Sequence, residues 1–257
     1  FKYRAFVEDL LNCKNYYFLA KNDQSDIIGV FPIMISYNKR LGNVANSLPF
    51  YGSNGGIIVS EKLTEAEKND TRIALLGYVE DYIKNEKCIT FTVITNPLDK
   101  NIKDWLEISF TYDLLDSRIG QITQLPEDNQ NVEEDLMKMF EDPRPRNIRK
   151  AIKSGVTWYD SYKEEDLEFL YKTHFENIKA INGIPKSKQF FMSIPTHFDS
   201  SDYKIYIAEQ NGEKIAALLL FYFNKTVEYF TPAIVEQYRN LQPTAKPNPF
   251  LPKSFPL

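Results

Sequence analysis

Residues 203–235 read YKIYIAEQNGEKIAALLLFYFNKTVEYFTPAIV, and they decide the fold. Three runs of β-branched, aromatic and aliphatic residues are separated by short polar breaks, which predicts strands over 203–210, 213–223 and 226–235. The break at Asn211-Gly212 is a strong hairpin signal, because a two-residue turn needs positive φ at both positions. Laid over FLAKNDQSDIIGVF at 18–31, the stretch YIAEQNGEKIAALL at 206–219 matches without a gap. Strand, polar turn and strand coincide, with Ala20 meeting Ala208 and Ile27 meeting Ile215. Identities are few, but the order of elements around the two hairpins also agrees, so the chain reads as a duplicated module.

Around the first hairpin, periodicity predicts an opening helix, strands YYFLAK and IIGVFPIMIS, and the segment NSLPFYGSNGGIIV. Thr64 and Glu67 form a capping box for a long helix whose apolar stripe is Ile73, Leu76, Val79 and Ile83, ending at Lys87. Strand CITFTVIT, a short helix near 101–107 and a hairpin of FTYDLL with RIGQITQL complete a first module over 1–125. Residues 126–155 read as a linker of helices, acidic at PEDNQNVEEDL and basic at PRPRNIRKAIKSG, stopped by Gly155. The second module, 156–245, offers strand VTWYD, helices over 164–182 and 187–193, and the three strands quoted above. The expected class is α/β, of α+β type with mixed sheets covered by helices.

Both ends look irregular. The chain opens on Phe1 rather than Met, so it is expected to begin partway into a longer protein. Residues 246–257, KPNPFLPKSFPL, hold four prolines in twelve and can form neither helix interior nor central strand. They read as an abnormal tail that cuts the second module short at its C-terminus, the competing reading being an extended proline-rich tail.

Composition narrows the function classes. Hydrophobic residues at 43% and charged residues at 26% describe a folding chain, and a net charge of −4 gives no overall attraction to nucleic acid or anionic membrane. Two cysteines, Cys13 and Cys88, supply neither a disulfide framework nor a metal set, and a reducing cytoplasm is the expected location. The longest apolar run falls well short of the roughly twenty residues that a membrane-spanning helix needs, so no span is expected.

A local basic patch exists all the same. Arg146, Arg149, Lys150 and Lys153 share one helix face, with Ile148, Ala151 and Ile152 expected on the other. Like charges at those spacings repel by about 0.2–0.5 kcal/mol per pair, which points to an anionic partner such as a pyrophosphate or a tRNA backbone. A solvated face paired with Glu133, Glu134 or Asp135 is the alternative. Gly52, Gly55 and Gly56 permit a close backbone approach to a ligand, with Tyr51 beside them to stack or donate, although a plain tight turn would use the same residues. His174 lies in line with Leu167, Leu170, Ile178 and Ile181, as a core histidine would, with a general base as the other reading.

Four segments in order carry a resemblance: IIGVFPIMI with SLPFYGSNGGIIV; RNIRKAIKSGV; FLYKTHFENIKAINGIPKSKQFF; and IAEQNGEKIAALLLFYFNKTVEYFTPAIVEQYRNLQPTA. Together they resemble the FemAB-like, or Fem peptidyltransferase-like, branch of the GNAT acyltransferase superfamily. The resemblance implies two GNAT-like modules, the second incomplete, with a cleft between them. It also implies transfer of an acyl or aminoacyl group to an amine-bearing acceptor, small or glycan-linked, in cell-wall or polysaccharide biosynthesis. The donor would be aminoacyl-tRNA or an acyl-CoA, and no tightly held cofactor is expected. The stretch EQYRNLQPTA lacks the glycines with which the wider superfamily cradles coenzyme A, which argues against that donor in the second module. The first module's SNGG could still bind an anion through backbone N–H groups.

The resemblance further places the reacting acyl group where the third strand of the second module splays, which Pro232 should mark. Alternation puts Val227, Tyr229 and Thr231 on one face of that strand and Glu228 and Phe230 on the other. Tyr229 and Glu228 are thus the catalytic candidates, for positioning and proton acceptance; a core tyrosine and a solvent glutamate are the plain alternative. Tyr238 and Arg239 could contact a donor phosphate. Three functions stay open: such a transferase, inactive if the truncation is real; a noncatalytic module that binds a phosphorylated or nucleotide-linked ligand; and an acetyl-CoA-dependent N-acyltransferase. An unpaired edge on the third strand would also favour a homodimer.

Overall fold

The computed structural model describes residues 2–47, 55–96, 111–117, 119–126 and 131–245. The chain divides into two units, Phe1–Gln121 and Ile122–Leu257. Each is a mixed α/β assembly built around its own sheet.

In the first unit α1 (Lys2–Leu11) buries Phe6 and Val7, and β1 (Cys13–Lys21) pairs antiparallel with β2 (Ile27–Ser36). β3 (Asn43–Asn46) and β4 (Ile58–Val59) also pair with β2, and β5 (Cys88–Thr92) lies parallel to β3. The helix α2 (Glu65–Asn85) starts at the expected capping box: Thr64 Oγ1 accepts the Glu67 N–H, and Glu67 Oε2 accepts the Thr64 N–H at 2.8 Å. Its inward face is Leu75, Leu76, Val79 and Ile83, packed on Phe31, Ile33, Ile35 and Ala45. Ile73 is 40% exposed and sits roughly a quarter-turn off that stripe, so Leu75 takes the place expected of it. Gly29 lets the helix approach the sheet, since a Cβ there would meet Thr71 Cγ2 at 2.7 Å.

The hairpin expected of FTYDLL and RIGQITQL does not form over the described residues, which carry no strand. Leu114, Leu115, Ile119 and Ile122 all stand exposed, so an isolated ribbon there would have no apolar surface to pack on. The short helix expected near 101–107 lies outside the described residues.

The second unit opens with α3 (Val132–Met139) and α4 (Arg144–Lys153). Gly155, at φ +74°, ends α4 in a Schellman turn, with its N–H on Ile152 O and that of Val156 on Ala151 O. β6 (Thr157–Ser161), α5 (Glu164–Ala180), α6 (Lys188–Met192) and α7 (Ile194–His197) follow. β7 (Tyr203–Gln210), β8 (Glu213–Phe223) and β9 (Thr226–Ile234) complete an antiparallel sheet in the order β6-β7-β8-β9, and a 3₁₀ turn spans Glu236–Leu241. Asn211 and Gly212, at φ 53° and 80°, make the expected tight turn.

Register corrects two expectations. In the first hairpin Ala20 opposes Gly29 across a loop of Asn22 to Asp26; in the second Ala208 opposes Ala216 across the shorter Asn211-Gly212 turn. The gapless overlay is therefore one residue out on its second strand, and the turn absorbs the difference. On β9, Tyr229 opposes Leu220 and Thr231 opposes Leu219, so Phe230 is the extra residue of a bulge. The bulge breaks the alternation. It turns Thr231 away from the face that holds Val227 and Tyr229, and Thr231 is buried.

Pro232 does not mark a splay, because β9 stays paired with β8 as far as Ile234. A proline is tolerated there because β9 is an outer strand among the described residues. Part of that outer edge is already satisfied: Asn177 Nδ2 donates to Ile234 O at 2.8 Å, and Asn177 Oδ1 accepts the Ile234 N–H at 2.9 Å. The helix α5 packs against β7, β8 and β9.

Candidate functional site

Pro145, Ile148 and Ala151 fix the inward face of α4, which leaves Arg146, Arg149, Lys150 and Lys153 exposed along the opposite side. Ile152, expected to point inward, is 51% exposed because it lies one step round from Ala151. Two of the three acidic partners that the sequence offered are engaged elsewhere: Lys138 takes Glu134 at 2.9 Å and Asp135 at 4.0 Å. Among the described residues none of the four ridge cations has an ion pair. No acidic residue stands in the first turn of α4 and no side chain caps it. Arg144 and Arg146 therefore add to the positive end of the helix dipole instead of offsetting it.

Arg144 escaped the sequence reading, although it belongs to the same basic run. Its guanidinium lies over the Phe140 ring, 4.8 Å from the centroid, and its charge reaches the Tyr229 phenol. Burial pushes that phenol above its ordinary pKa, while the Thr244 hydroxyl and Arg144 pull it back. The turn carrying Thr244 is pinned by Trp158, whose Nε1–H donates to Pro243 O at 2.7 Å, and by Asn147 Nδ2, 3.3 Å from Gln242 Oε1. Beneath it a cavity of about 10 Å³ is lined by Trp158, Tyr206, Ala208, Ala216 and Pro243, room for about one water. The start of α4, Tyr229 and the turn at Thr244 thus come together.

Glu228 is not part of that group. It opposes Phe221, on the face where α6 packs, so the two catalytic candidates stand on opposite faces of β9. Tyr238 donates to Glu213 Oε2 at 2.7 Å and packs beside Ala216, while Arg239 Nε pairs with Glu236 at 2.9 Å, so both have local partners. Gly56, at φ +101°, is buried; its N–H donates to Ser47 O, and a Cβ would meet Ile94 O at 3.1 Å. That is a close-packed crossing of the kind a tight turn needs. Gly55 is half-buried, and Tyr51 and Gly52 lie outside the described residues.

His174 is buried, and its Nε2 accepts the Lys186 N–H at 3.2 Å. Burial, with a smaller push from the Lys186 charge, lowers its pKa to about 4. A histidine held neutral stabilises the fold fully above its unfolded pKa, near 6.5, and that contribution is lost as pH falls from there towards 4. The expected loss from this group is about 2 kcal/mol by pH 5. Urea unfolding of the wild type and of His174→Gln at pH 7 and pH 5 checks it, since the variant should lack this part of the acid sensitivity.

No family model matches the sequence, and no curated protein matches it. Among solved structures, FemX superposes with a TM-score of 0.66 at 12% identity, over 95% of this chain and 76% of that one. A probable acetyltransferase, at 18% identity over 47% of this chain and 76% of its own, has a TM-score of 0.30. A C-terminal DUF2156 domain from Agrobacterium fabrum, at 8% identity over 95% and 71%, has one of 0.41. The last two are too distant to carry an argument. The likeness to FemX is one of fold, and at that level the Fem-like expectation holds across nearly the whole chain.

Proposed function

We propose that this chain, which shares the fold of FemX, transfers an acyl or aminoacyl group to an amine-bearing acceptor that also carries phosphate or another anion. The observation that carries the reading is the ridge on α4: four exposed cations without acidic partners among the described residues, running on from an uncapped helix start that Arg144 and Arg146 make more positive still. Such an arrangement stabilises little in the free protein and much in a complex with an anion. Tyr229, hydrogen-bonded to Thr244 and within reach of the Arg144 charge, belongs in this reading to the anion-holding end. In this reading Glu228, on the opposite face of β9 from Tyr229, takes the proton that the attacking amine must lose.

Aminoacyl-tRNA is the donor this reading favours over acetyl-CoA. The N–H of Gly56 is engaged by Ser47, and 236–245 supplies no glycine to cradle a pyrophosphate. The ridge suits a noncatalytic binder equally well, and only turnover separates the two. Titration against a nucleotide-linked peptide precursor with a free amine, a charged tRNA and acetyl-CoA, at two salt concentrations, tests the anion site. The first two should bind, more weakly as salt rises; tight, salt-insensitive binding of acetyl-CoA alone would sink the reading.

A further inference from the structure

Lys186, between α5 and α6, does not extend into solvent as lysines usually do. Its Nζ lies 5.0 Å from the centroid of the Phe230 ring and 5.8 Å from that of Phe190. The two rings are stacked at 5.9 Å and 9°, and Phe221 meets Phe230 edge-on at 5.1 Å. Phe230 is the bulged residue of β9, and Glu228, opposite Phe221, sits two positions before it on the same face.

The backbone on either side is fixed. The Lys186 N–H is held by His174 Nε2, and Ser187 caps α6 by accepting the Phe190 N–H at 3.2 Å. Upstream, the Gly183 N–H on Ile178 O and the Asn182 N–H on Lys179 O close a Schellman turn at the end of α5. A strongly hydrated ammonium is thereby kept partly desolvated at one place, where the ring faces attract it and burial lowers its pKa. This is the condition in which a fixed positive charge acts most strongly on an oxyanion.

We propose that Lys186 is a catalytic residue whose ammonium binds the acyl carbonyl oxygen at the bulge of β9 and stabilises the oxyanion formed when the acceptor amine attacks. The proposal rests on the transferase reading above. As the amine nitrogen bonds to the carbonyl carbon, the C=O π pair moves onto the oxygen beside Lys186 and the amine proton passes to Glu228. Collapse restores the carbonyl and breaks the bond to the donor's ester oxygen, which takes the proton.

The test has two arms. Ethylphosphonate, a tetrahedral anion, should slow labelling of Lys186 by trinitrobenzenesulfonate at least fivefold, while the exposed Lys179 in the same sample is unaffected. In turnover, Lys186→Met should lower kcat at least 100-fold with KM within threefold, and Lys186→Arg should recover part of it, with both variants melting as the wild type does. Unchanged labelling of Lys186, or a Lys186→Met enzyme within threefold of wild type, overturns the proposal. Protection of Lys186 in a protein that forms no amide would remove the transferase reading and leave an anion site. Amide formation without protection would do the reverse.

Discussion

Changing Lys214 to Met should cost the second unit about 3 kcal/mol at pH 7, more than changing Asp166 to Asn. Asp166, in the first turn of α5, is wholly buried. Its carboxylate accepts the Ser161 hydroxyl at 2.6 Å and the Tyr159 hydroxyl at 3.2 Å, and pairs with Lys214 at 2.5 Å. Burial alone would raise its pKa, but Lys214 and Ser161 together hold it below the ordinary value of 3.8.

Without Lys214 that buried charge keeps only neutral donors. In Asp166→Asn, by contrast, the lysine is partly exposed and has Glu165 within 3.9 Å, so it is the less stranded partner. Because the folded carboxyl titrates low, its stabilisation is present above about pH 4 and lost below. In Lys214→Met the carboxyl should titrate higher, and the deficit against wild type should shrink as acid protonates it. Urea unfolding followed by Trp158 fluorescence in a Trp105→Phe background, at pH 7 and pH 4.5, reads both. A deficit under 1 kcal/mol at pH 7 would show that the network contributes little.

Reversing two ridge charges, Arg146→Glu with Arg149→Glu, should weaken binding of the nucleotide-linked precursor at least 100-fold at low salt. Both side chains are exposed and unpaired among the described residues, so the melting temperature should not fall. The slope of log affinity against log salt should flatten, since fewer counterions are released. Unchanged affinity in the double variant would move the anion site away from α4.

Much of the second unit was legible in the sequence. The ends of β7 and β8 fall where the polar breaks put them, because a two-residue turn with positive φ leaves little latitude. The capping box of α2 and the basic face of α4 are set by spacing alone. The bulge at Phe230 was not legible, since an inserted residue leaves a period-two pattern intact until the partner's register is known. Asp166 looks like any acidic residue in a first turn, and nothing local says that Lys214, on another element, will reach it. Lys186 reads as a loop lysine for the same reason: its ring partners come from α6 and β9. Arg144 was hidden by its place at the helix start, and the reach of its charge to Tyr229 joins residues distant in the chain.

Mass spectrometry of an amine-bearing, nucleotide-linked acceptor, after incubation with this chain and a charged tRNA, tests the central claim most directly. The expected result is an acceptor heavier by one aminoacyl residue through an amide bond, formed more slowly when Arg146 and Arg149 are reversed. An acceptor that binds with the salt dependence described and leaves unaltered would contradict the transferase account and identify a binding module.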